Sequence, residues 1–598
     1  MPTPAVPTTV PPVQALPTTT RSQPLPLPSE GLPPVPLVEG PLAIRVVYPS
    51  ENAPMANRDS NYMIGSVGNG QATLTINGQS ATVYPNGAFL AFIKNPAPEA
   101  PKFDLVAAVG ADSARLTHSL RTPPAALPLE GKLIVDSSEF APRVTNTIVL
   151  RDDERTTVTI RAPANATVAF VPRTGLAGVN LLRVTHLSRN GDVAAASIPG
   201  TDLRDGGMLL VSRGRDTIRI AVGAVRSPER AFVRLGRGMT PADTDAVIYG
   251  RVLPNDNYKW FLLPGTVAEV TGRAGGFTRV RVAEDLEMWV ADVDVDTVAA
   301  IQPNRRQTSN GRVRSTPISA DLAIPMTSTP AYFVEEHNRQ IDLVLYGVVG
   351  NTDVINYPTG DSLIRSVTWE QETVDRVRFT LHLTDRPIGY MALWERGNFV
   401  LRIRRSPAVD AAHPLRGRVI SLDPGHPPAG ATGPTSLYEG QAVLWVAERA
   451  KAMLEARGAT VVMTRTTMDT LLLPPRRTTT RRADADAFVS IHLNAFPDGV
   501  NPFVATVGSG TYFYRTHSEP LARAVQQRMV GTMGLRDEGI FFRSLAVTVQ
   551  SWMPAVLTEG AYVIIPEQEA AMRTVNFQER YAKSIVEGLE AYFRAMAR

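Results

Sequence analysis

Three short apolar stretches in the last 180 residues each lead to side chains that can bind a metal or move a proton. The stretches and the residues that follow them are Arg418–Leu422 before Asp423 and His426, Phe488–Ile491 before His492 and Asn494, and Ala555–Thr558 before Glu559. Ligands of an open α/β sheet gather beyond the carboxyl ends of its strands. We therefore expect His426, His492 and Glu559 to converge, although they lie far apart in the sequence.

A second glutamate, Glu439, opens a predicted helix. Apolar residues recur after it with the three- and four-residue spacing of a buried helix face, and Gly458 marks the expected end of the helix. A carboxylate at a helix N-terminus gains ~0.3–1 kcal/mol from the helix dipole, so a purely structural role is the alternative for this residue. The short loop between His426 and Glu439 favours a functional role, because it brings both residues to the same sheet edge.

This set of side chains has the chemistry of a catalytic metal site. Two His and one Glu make a three-ligand zinc site with an open fourth position, whereas a structural zinc site closes all four, usually with Cys. The chain contains no Cys. A metal in an open site lowers the pKa of its water toward ~7, and Glu559 would then be the base that accepts and returns the proton.

The segment from Arg416 to Arg598 resembles the zinc-dependent N-acetylmuramoyl-L-alanine amidases of the bacterial cell wall. The matching segments are Leu422–His426, Tyr438–Gly440, Ala485–Ala495 and Pro554–Gly560. The resemblance implies one Zn²⁺ bound by His426, Glu439 and His492, with Glu559 as the catalytic residue. It also implies the reaction, which is hydrolysis of the amide between N-acetylmuramic acid and L-alanine in peptidoglycan.

Further residues near these segments are candidates for supporting roles. Arg476 falls where the family usually has an Arg, and we interpret Asp423 and Asn494 as residues that shape the metal loops. His517 is a candidate substrate contact, with an exposed residue before the helix N-cap Ser518 as the alternative. Other candidate substrate contacts are Asn501, Ser509 and Tyr512. The sequence departs from the family pattern at Pro427-Pro428 and at Thr480-Arg481.

Some family members carry an extra helix that plugs the site until a partner protein removes it. Only 20 residues separate Thr464 from Ala485, which leaves little room for such a helix. We therefore expect the site to be open without an activator.

The sequence before this domain predicts several β modules. The predicted fold class is therefore multidomain, with N-terminal all-β modules followed by a C-terminal α/β amidase domain that has a mainly parallel sheet. Asn77-Gly78 between two alternating runs predicts a hairpin with a type I′ turn. The predicted boundaries are a Pro/Thr-rich linker at 1–40, an Ig-like sandwich at 41–125, a β-rich module of unknown type at 126–238, an SH3-like barrel at 239–300, a linker at 301–328, a β-sandwich that could target the wall at 329–410, and the catalytic domain at 415–598.

Composition excludes several function classes. The chain has 598 residues, 43% hydrophobic and 20% charged, and a net charge of +4. This is globular composition, and without a Lys/Arg block we expect no nucleic-acid partner. No apolar run approaches the ~18 residues of a membrane-spanning helix, so no integral membrane segment is predicted. The N-terminus lacks the pattern of a signal peptide. A peptidoglycan substrate nevertheless implies an extracytoplasmic location, in the periplasm or cell envelope. The oligomeric state is not predictable from the sequence.

Two other functions compete with this interpretation. A catalytically silent peptidoglycan-binding or regulatory protein could keep an amidase-like fold, although a degenerate domain would be expected to lack a His or Glu559. A different zinc hydrolase, such as a peptidase or a deacetylase, would release a different amine. Mass spectrometry of the products separates these cases.

Overall fold

The structure is a computed structural model that describes residues 31–597 apart from 55–58, 98–99, 122–126, 146–147, 174–183, 242–246, 301–305 and 360–362. The chain is built from strands up to Arg404, and every α-helix of the described residues lies between Glu439 and Arg594. A β-rich N-terminal part followed by an α/β domain is therefore confirmed. Within the described residues, no helix combines the length and the apolar character that a membrane crossing requires.

The first module is a seven-stranded antiparallel arrangement that contains the predicted hairpin. Asn77 and Gly78 have φ values of 48° and 78°, as a type I′ turn requires. Residues 1–30 of the predicted linker lie outside the described residues. In residues 31–40, the amide of Val38 donates to the carbonyl of Pro85 at 2.9 Å and Leu32 packs against an apolar core, while most of the segment is exposed. The linker assignment stays a prediction. The strands are Arg45–Tyr48, Ser60–Ser66, Thr73–Ile76, Gln79–Val83, Ala88–Lys94, Lys102–Val109 and Asp112–Ser119.

Residues 136–300 form two four-stranded sheets and one nine-stranded sheet. The first has Asp136–Ala141, Arg155–Arg161, Ser188–Asn190 and Val193–Pro199, and the second has Thr167–Pro172, Thr185–His186, Gly207–Arg213 and Asp216–Val222. The nine-stranded sheet has Ile148–Val149, Val225–Arg226, Phe232–Leu235, Ile248–Arg251, Tyr258–Leu262, Val267–Ala274, Phe277–Ala283, Leu286–Ala291 and Val295–Ala300. Three of these strands precede residue 239, so the predicted boundary at 238/239 does not separate two independent sheets. The SH3-like assignment stays a prediction.

The next unit consists of a five-stranded and a four-stranded sheet that enclose one apolar core, with a separate two-stranded sheet formed by Arg306–Gln307 and Val348–Val349. The predicted linker at 301–328 was wrong, because Gly311–Ser315 and Ser319–Pro325 are paired strands of the larger sheet. The polar composition of this segment suggested a linker, but its charges are paired within the sheet. The buried carboxylate of Asp321, for example, forms an ion pair with Arg402 at 2.8 Å. The remaining strands are Arg306–Gln307, Ala331–Glu336, Gln340–Tyr346, Val348–Val349, Ile355–Asn356, Ile364–Thr373, Arg376–Leu383, Gly389–Glu395 and Asn398–Arg404.

The C-terminal α/β domain is a six-stranded sheet with helices packed against it. In chain order its elements are β1 (Val419–Pro424), α1 (Glu439–Glu455), β2 (Thr460–Met463), α2 (Leu473–Arg482), β3 (Ala487–Asn494), β4 (Gly508–Phe513), α3 (Glu519–Met533), β5 (Arg536–Phe542), β6 (Ala555–Tyr562), α4 (Pro566–Met572) and α5 (Val575–Arg594). The spatial order is β2-β1-β3-β6-β4-β5, and β2, β1, β3 and β6 run parallel. The antiparallel pair β4–β6 makes the sheet mixed but mainly parallel.

The first module and the α/β domain share one apolar core. Tyr62, Ile64 and Leu90 of the module belong to the same buried cluster as the helices and strands of the α/β domain. Hydrogen bonds cross this contact, because the Tyr62 hydroxyl donates to the carbonyl of Phe496 at 2.8 Å and the amide of Gly499 donates to the side chain of Asn61 at 3.0 Å. The module is therefore packed beside the segment that follows β3.

Candidate metal centre

The carboxyl ends of β1, β3 and β6 bring the sequence-predicted residues to one edge of the sheet. His426 follows β1, His492 lies near the end of β3, and Glu559 lies beside His492 because the two residues are paired in the parallel register of β3 and β6. Glu439 reaches the same edge as the first residue of α1. The structure thus brings these four residues to one edge of the sheet, and their roles stay predictions.

Three of these side chains form a compact donor cluster, with ligand atoms that all lie within 4.8 Å of one another. The Oε1 atom of Glu439 is 3.2 Å from Nε2 of His426 and 3.0 Å from Nδ1 of His492. Nδ1 of His426 contacts the carbonyl of Pro428 at 3.1 Å, which orients the ring as backbone carbonyls do in metal sites. Two imidazoles and one carboxylate that meet in this way have the donor chemistry of a three-ligand metal site.

A close approach of backbone to side chain makes this cluster possible. A Cβ atom at Gly425 would lie 2.3 Å from Cε1 of His492, so this position has room only for glycine. His426 itself adopts the left-handed region with φ of 57°. The loop between β1 and His426 therefore turns sharply against the second imidazole.

The carboxylate of Glu439 is held in its ionised form. Its Oε1 accepts from the amide of Leu493 and its Oε2 accepts from the amide of Ala431, each at 3.0 Å. Burial alone would raise the pKa of Glu439, but the hydrogen bonds from His426 and His492 hold that pKa well below its usual range. An ionised carboxylate is the form that binds a cation.

A buried ion pair between Arg476 and Asp423 supports the loop after β1 that carries His426, which we call the metal loop. Arg476 on α2 donates to Oδ1 of Asp423 at 2.8 Å, to the carbonyl of Pro424 at 2.8 Å and to the carbonyl of His426 at 3.1 Å. Asp423 also accepts from the hydroxyls of Thr464 and Ser490. These contacts give Asp423 and Arg476 the supporting position that the sequence predicted.

Arg465 is a second supporting arginine, and sequence reasoning missed it. It is buried and donates to the carbonyls of Pro424 at 2.8 Å, Gly425 at 2.7 Å and Gly440 at 2.6 Å. Arg465 lies two residues after the end of β2, and an Arg at a strand end is the only local signal of its role that the sequence offers. Arg465 thus ties the His426 loop to the first turn of α1.

Glu559 lies beside the cluster in a carboxylate-rich surrounding. Its Oε2 atom is buried and has no hydrogen-bond partner among the described residues. Burial and the nearby charges of Glu439 and Glu538 raise the pKa of Glu559 well above its usual range. The hydroxyl of Tyr562 on β6 donates to the carboxylate of Glu538 on β5 at 3.1 Å, and sequence reasoning selected neither residue.

The other sequence candidates take different positions. The side-chain oxygen of Asn494 accepts a hydrogen bond from the amide of Ala495 at 2.9 Å, and Asn494 is not part of the donor cluster. His517 is buried, not exposed, and its Nδ1 lies 2.7 Å from the carboxylate of Glu336 in the β-sandwich. The His517 side chain thus makes a buried contact between two units. This position fits neither a substrate contact nor an exposed residue.

The three further substrate candidates also differ in their surroundings. Asn501 accepts from the amide of Phe503 at 3.0 Å, and Ser509 is fully buried in β4. Tyr512 is the candidate that lies near the site, because it is paired with Leu557 on the strand that carries Glu559. Burial and the charge of Glu559 raise its pKa.

A second group of possible metal ligands lies in the β-sandwich and was not predicted. Its members are Glu335, His337 and Asp342. The guanidinium of Arg378 lies 2.6 Å from Glu335 and 3.4 Å from Asp342, so a cation of the protein already pairs with both carboxylates. The group is therefore an ion-pair network on the sheet surface.

Comparison with known proteins places the α/β domain in a family. Residues 420–591 match the sequence model of the N-acetylmuramoyl-L-alanine amidase family. The chain is 31% identical over 33% of its length to N-acetylmuramoyl-L-alanine amidase LytC of Bacillus subtilis (strain 168), of which it spans 41%. It is 30% identical over 32% of its length to the uncharacterized protein YqiI of the same organism, of which it spans 93%.

A solved structure gives a similar match. The catalytic domain of CwlV, an N-acetylmuramoyl-L-alanine amidase from Bacillus (Paenibacillus) polymyxa var. colistinus, is 31% identical, with 29% of this chain and 97% of that domain covered and a TM-score of 0.28. The matched segment contains His426, Glu439, His492 and Glu559. Through its C-terminal α/β domain, the chain belongs to the N-acetylmuramoyl-L-alanine amidase family.

Proposed function

We propose that the protein is a zinc-dependent N-acetylmuramoyl-L-alanine amidase that hydrolyses the amide between N-acetylmuramic acid and L-alanine in peptidoglycan. One observation carries the proposal: His426, Glu439 and His492 offer ligand atoms within 4.8 Å of one another, and Glu559, whose Oε2 atom is buried, lies beside His492. The family of the α/β domain supports the same substrate.

The donor set fits zinc by its chemistry. Two imidazole nitrogens and one carboxylate oxygen are ligands that Zn²⁺ accepts, and three protein ligands leave a position for water or substrate. A zinc ion in such a site supplies Lewis acidity toward the amide carbonyl and lowers the pKa of water. His426, Glu439 and His492 would hold the ion, and Arg476 and Arg465 keep the His426 loop in place for it.

The protein's own proton chemistry is assigned to Glu559. Its Oε2 accepts a proton from the attacking water and returns it to the nitrogen of L-alanine as the amide bond breaks, so that the products are a lactyl carboxylate and a free amine. Burial raises the pKa of Glu559, which makes its carboxylate a stronger base than an exposed glutamate and suits it to accept a proton.

A catalytically silent wall-binding protein is the alternative. It would have no use for a buried, unpartnered carboxylate oxygen beside a complete ligand set, because burying such an oxygen destabilises the fold. We therefore favour catalysis over binding alone.

We also propose that the site works without an activator and that the protein acts outside the cytoplasmic membrane. The side chains of His426 and His492 are 21% and 17% exposed, which supports access from solvent. The segment between Thr464 and Ala485 contains α2, whose buried Arg476 supports the loop. An extracytoplasmic location follows from the substrate, since peptidoglycan lies there.

The test is digestion of purified peptidoglycan by the full chain, with products identified by mass spectrometry. We expect stem peptides that begin with L-alanine, loss of their release with a chelator, and recovery with Zn²⁺. Release of a different amine would indicate another hydrolase, and no release by zinc-loaded, folded protein would contradict the proposed activity.

A further inference from the structure

A cavity of about 120 Å³ lies where the nine-stranded sheet, the β-sandwich and the α/β domain meet. A single buried water needs ~10–15 Å³, so this space admits a small organic molecule. The ligand cluster and Glu559 do not line it, and the cavity is therefore separate from the proposed metal site. Its wall contains arginines but neither Asp nor Glu, together with aromatic side chains.

Arg477 brings an incompletely satisfied cation to this wall. Its Nε atom is buried and has no hydrogen-bond partner among the described residues. Its guanidinium lies 5.3 Å from the ring centroid of Tyr249, to whose hydroxyl it also hydrogen-bonds. No carboxylate of the described residues forms an ion pair with the half-buried Arg477, so the protein supplies no counter-charge for its guanidinium there.

Arg515 approaches the same cavity from the α/β domain. It donates to the carbonyl of Val549 and to the hydroxyl of Tyr390, each at 3.0 Å, and its guanidinium lies 4.5 Å from the ring centroid of Phe261. Glu336 is near enough to interact with Arg515, but that carboxylate is already paired with His517 at 2.7 Å. The cavity therefore presents a second guanidinium that has no carboxylate of its own within the described part of the chain.

Two guanidiniums beside an aromatic wall define the chemistry of a matching ligand. Arginine binds carboxylates through paired N–H donors, and such charge-assisted bonds are strongest where water is excluded. The apolar wall, which includes Phe261, Tyr332 and Trp552, suits a hydrocarbon body better than a fully hydrated inorganic anion. We propose that this cavity binds a small organic carboxylate with an apolar body.

The position of α2 links this cavity to the metal loop. Pro474, Arg477 and Thr478 of the helix line the cavity, with the spacing of one helix face. Arg476 and Thr480 are buried on the other side, where Arg476 donates to the carbonyl of His426. A bound carboxylate would thus contact the same ten-residue helix that supports the metal loop. The inference does not depend on the proposed amidase activity, because binding is measured without turnover.

Calorimetric titration of the full chain tests the proposal. The probes are hexanoate and N-acetylalanine, which represent a free acid and a peptide terminus, and the neutral controls are hexanamide and N-acetylalaninamide. We expect at least one carboxylate to bind tenfold or more tightly than its amide. Tighter binding of N-acetylalanine indicates a peptide terminus as the source, and tighter binding of hexanoate indicates a free acid.

Variants locate the binding. Arg477→Gln is expected to weaken carboxylate binding tenfold or more, and Arg477→Lys is expected to restore only part of it because lysine lacks the planar fork. Arg523→Gln, at an exposed position of α3, is the matched control and is expected to leave binding unchanged. Equal binding of acid and amide, equal binding by Arg477→Gln and wild type in folded protein, or no binding below about 10 mM would overturn the proposal.

Discussion

Replacement of Arg476 by alanine is expected to damage both the stability of the α/β domain and its affinity for zinc. The Arg476 and Asp423 side chains are 3% and 1% exposed, so the variant leaves a carboxylate buried without its cation. Removing one partner of a buried ion pair costs about 3–5 kcal/mol. The variant also frees the carbonyl of His426, and loss of such support for a metal ligand typically lowers metal affinity ~10–100-fold.

The two effects are separable with a paired variant. In Arg476→Gln with Asp423→Asn, neither side chain is charged, so much of the lost stability is expected to return. The zinc affinity is expected to stay low, because glutamine is too short to reach the same set of carbonyls. The exposed Arg482 of the same helix provides the control, since Arg482→Ala is expected to change stability by less than about 0.5 kcal/mol.

Denaturant unfolding of the metal-free protein measures the stability, and competition with a zinc-binding dye measures the affinity. If Arg476→Ala unfolded within about 1 kcal/mol of wild type, the argument from the buried ion pair would be wrong. If the paired variant regained wild-type zinc affinity, Arg476 would not position the metal loop.

Three further results are expected. Glu559→Gln should retain zinc and lose most turnover, roughly 10²-fold or more, in the mass-spectrometric assay, and near-normal turnover would remove Glu559 as the base. Gly425→Ala should weaken zinc binding by displacing His492, whose ring lies 2.3 Å from the added Cβ; unchanged binding in a competition titration would show that the loop tolerates a side chain. Burial raises the pKa of Glu336, but the charge and hydrogen bonds of His517 and the charge of Arg515 together outweigh burial and lower that pKa. This carboxylate therefore stabilises the fold above its unfolded pKa, and the contribution is lost as the pH falls through the lower folded value. The stability advantage of wild type over Glu336→Gln should therefore shrink from pH 7 to pH 3 in denaturant titrations, and a constant advantage would contradict the pairing.

The candidate site was predictable because parallel strands that are adjacent in the sheet bring residues that are distant in the sequence to the same edge. His426, His492 and Glu559 each follow an apolar strand, and parallel strands end at one edge of a sheet. Glu439 was predictable from the start of α1. Arg465 was not, because its donors go to main-chain carbonyls, which leave no pattern in the sequence.

The incorrect predictions about the fold have a common physical origin, which is pairing between segments that are distant in the chain. The polar segment around Arg312 looked like a linker, yet it forms an internal strand of the five-stranded sheet. On the next strand of that sheet, Asp321 meets Arg402, which lies 81 residues later in the chain. His517 likewise looked like a surface residue until Glu336 was brought to it from another unit. Local composition carries no information about such partners.

The core that the first module shares with the α/β domain has a consequence for synthesis of the chain. Tyr62 meets Phe496 across 434 residues, so the apolar surface around Tyr62, Ile64 and Leu90 leaves the ribosome long before its partner does. At ~5–20 residues per second, this interval is roughly 20–90 s. During that time the nascent first module must remain soluble with an uncovered apolar face, which makes it a natural client for chaperones that bind such surfaces.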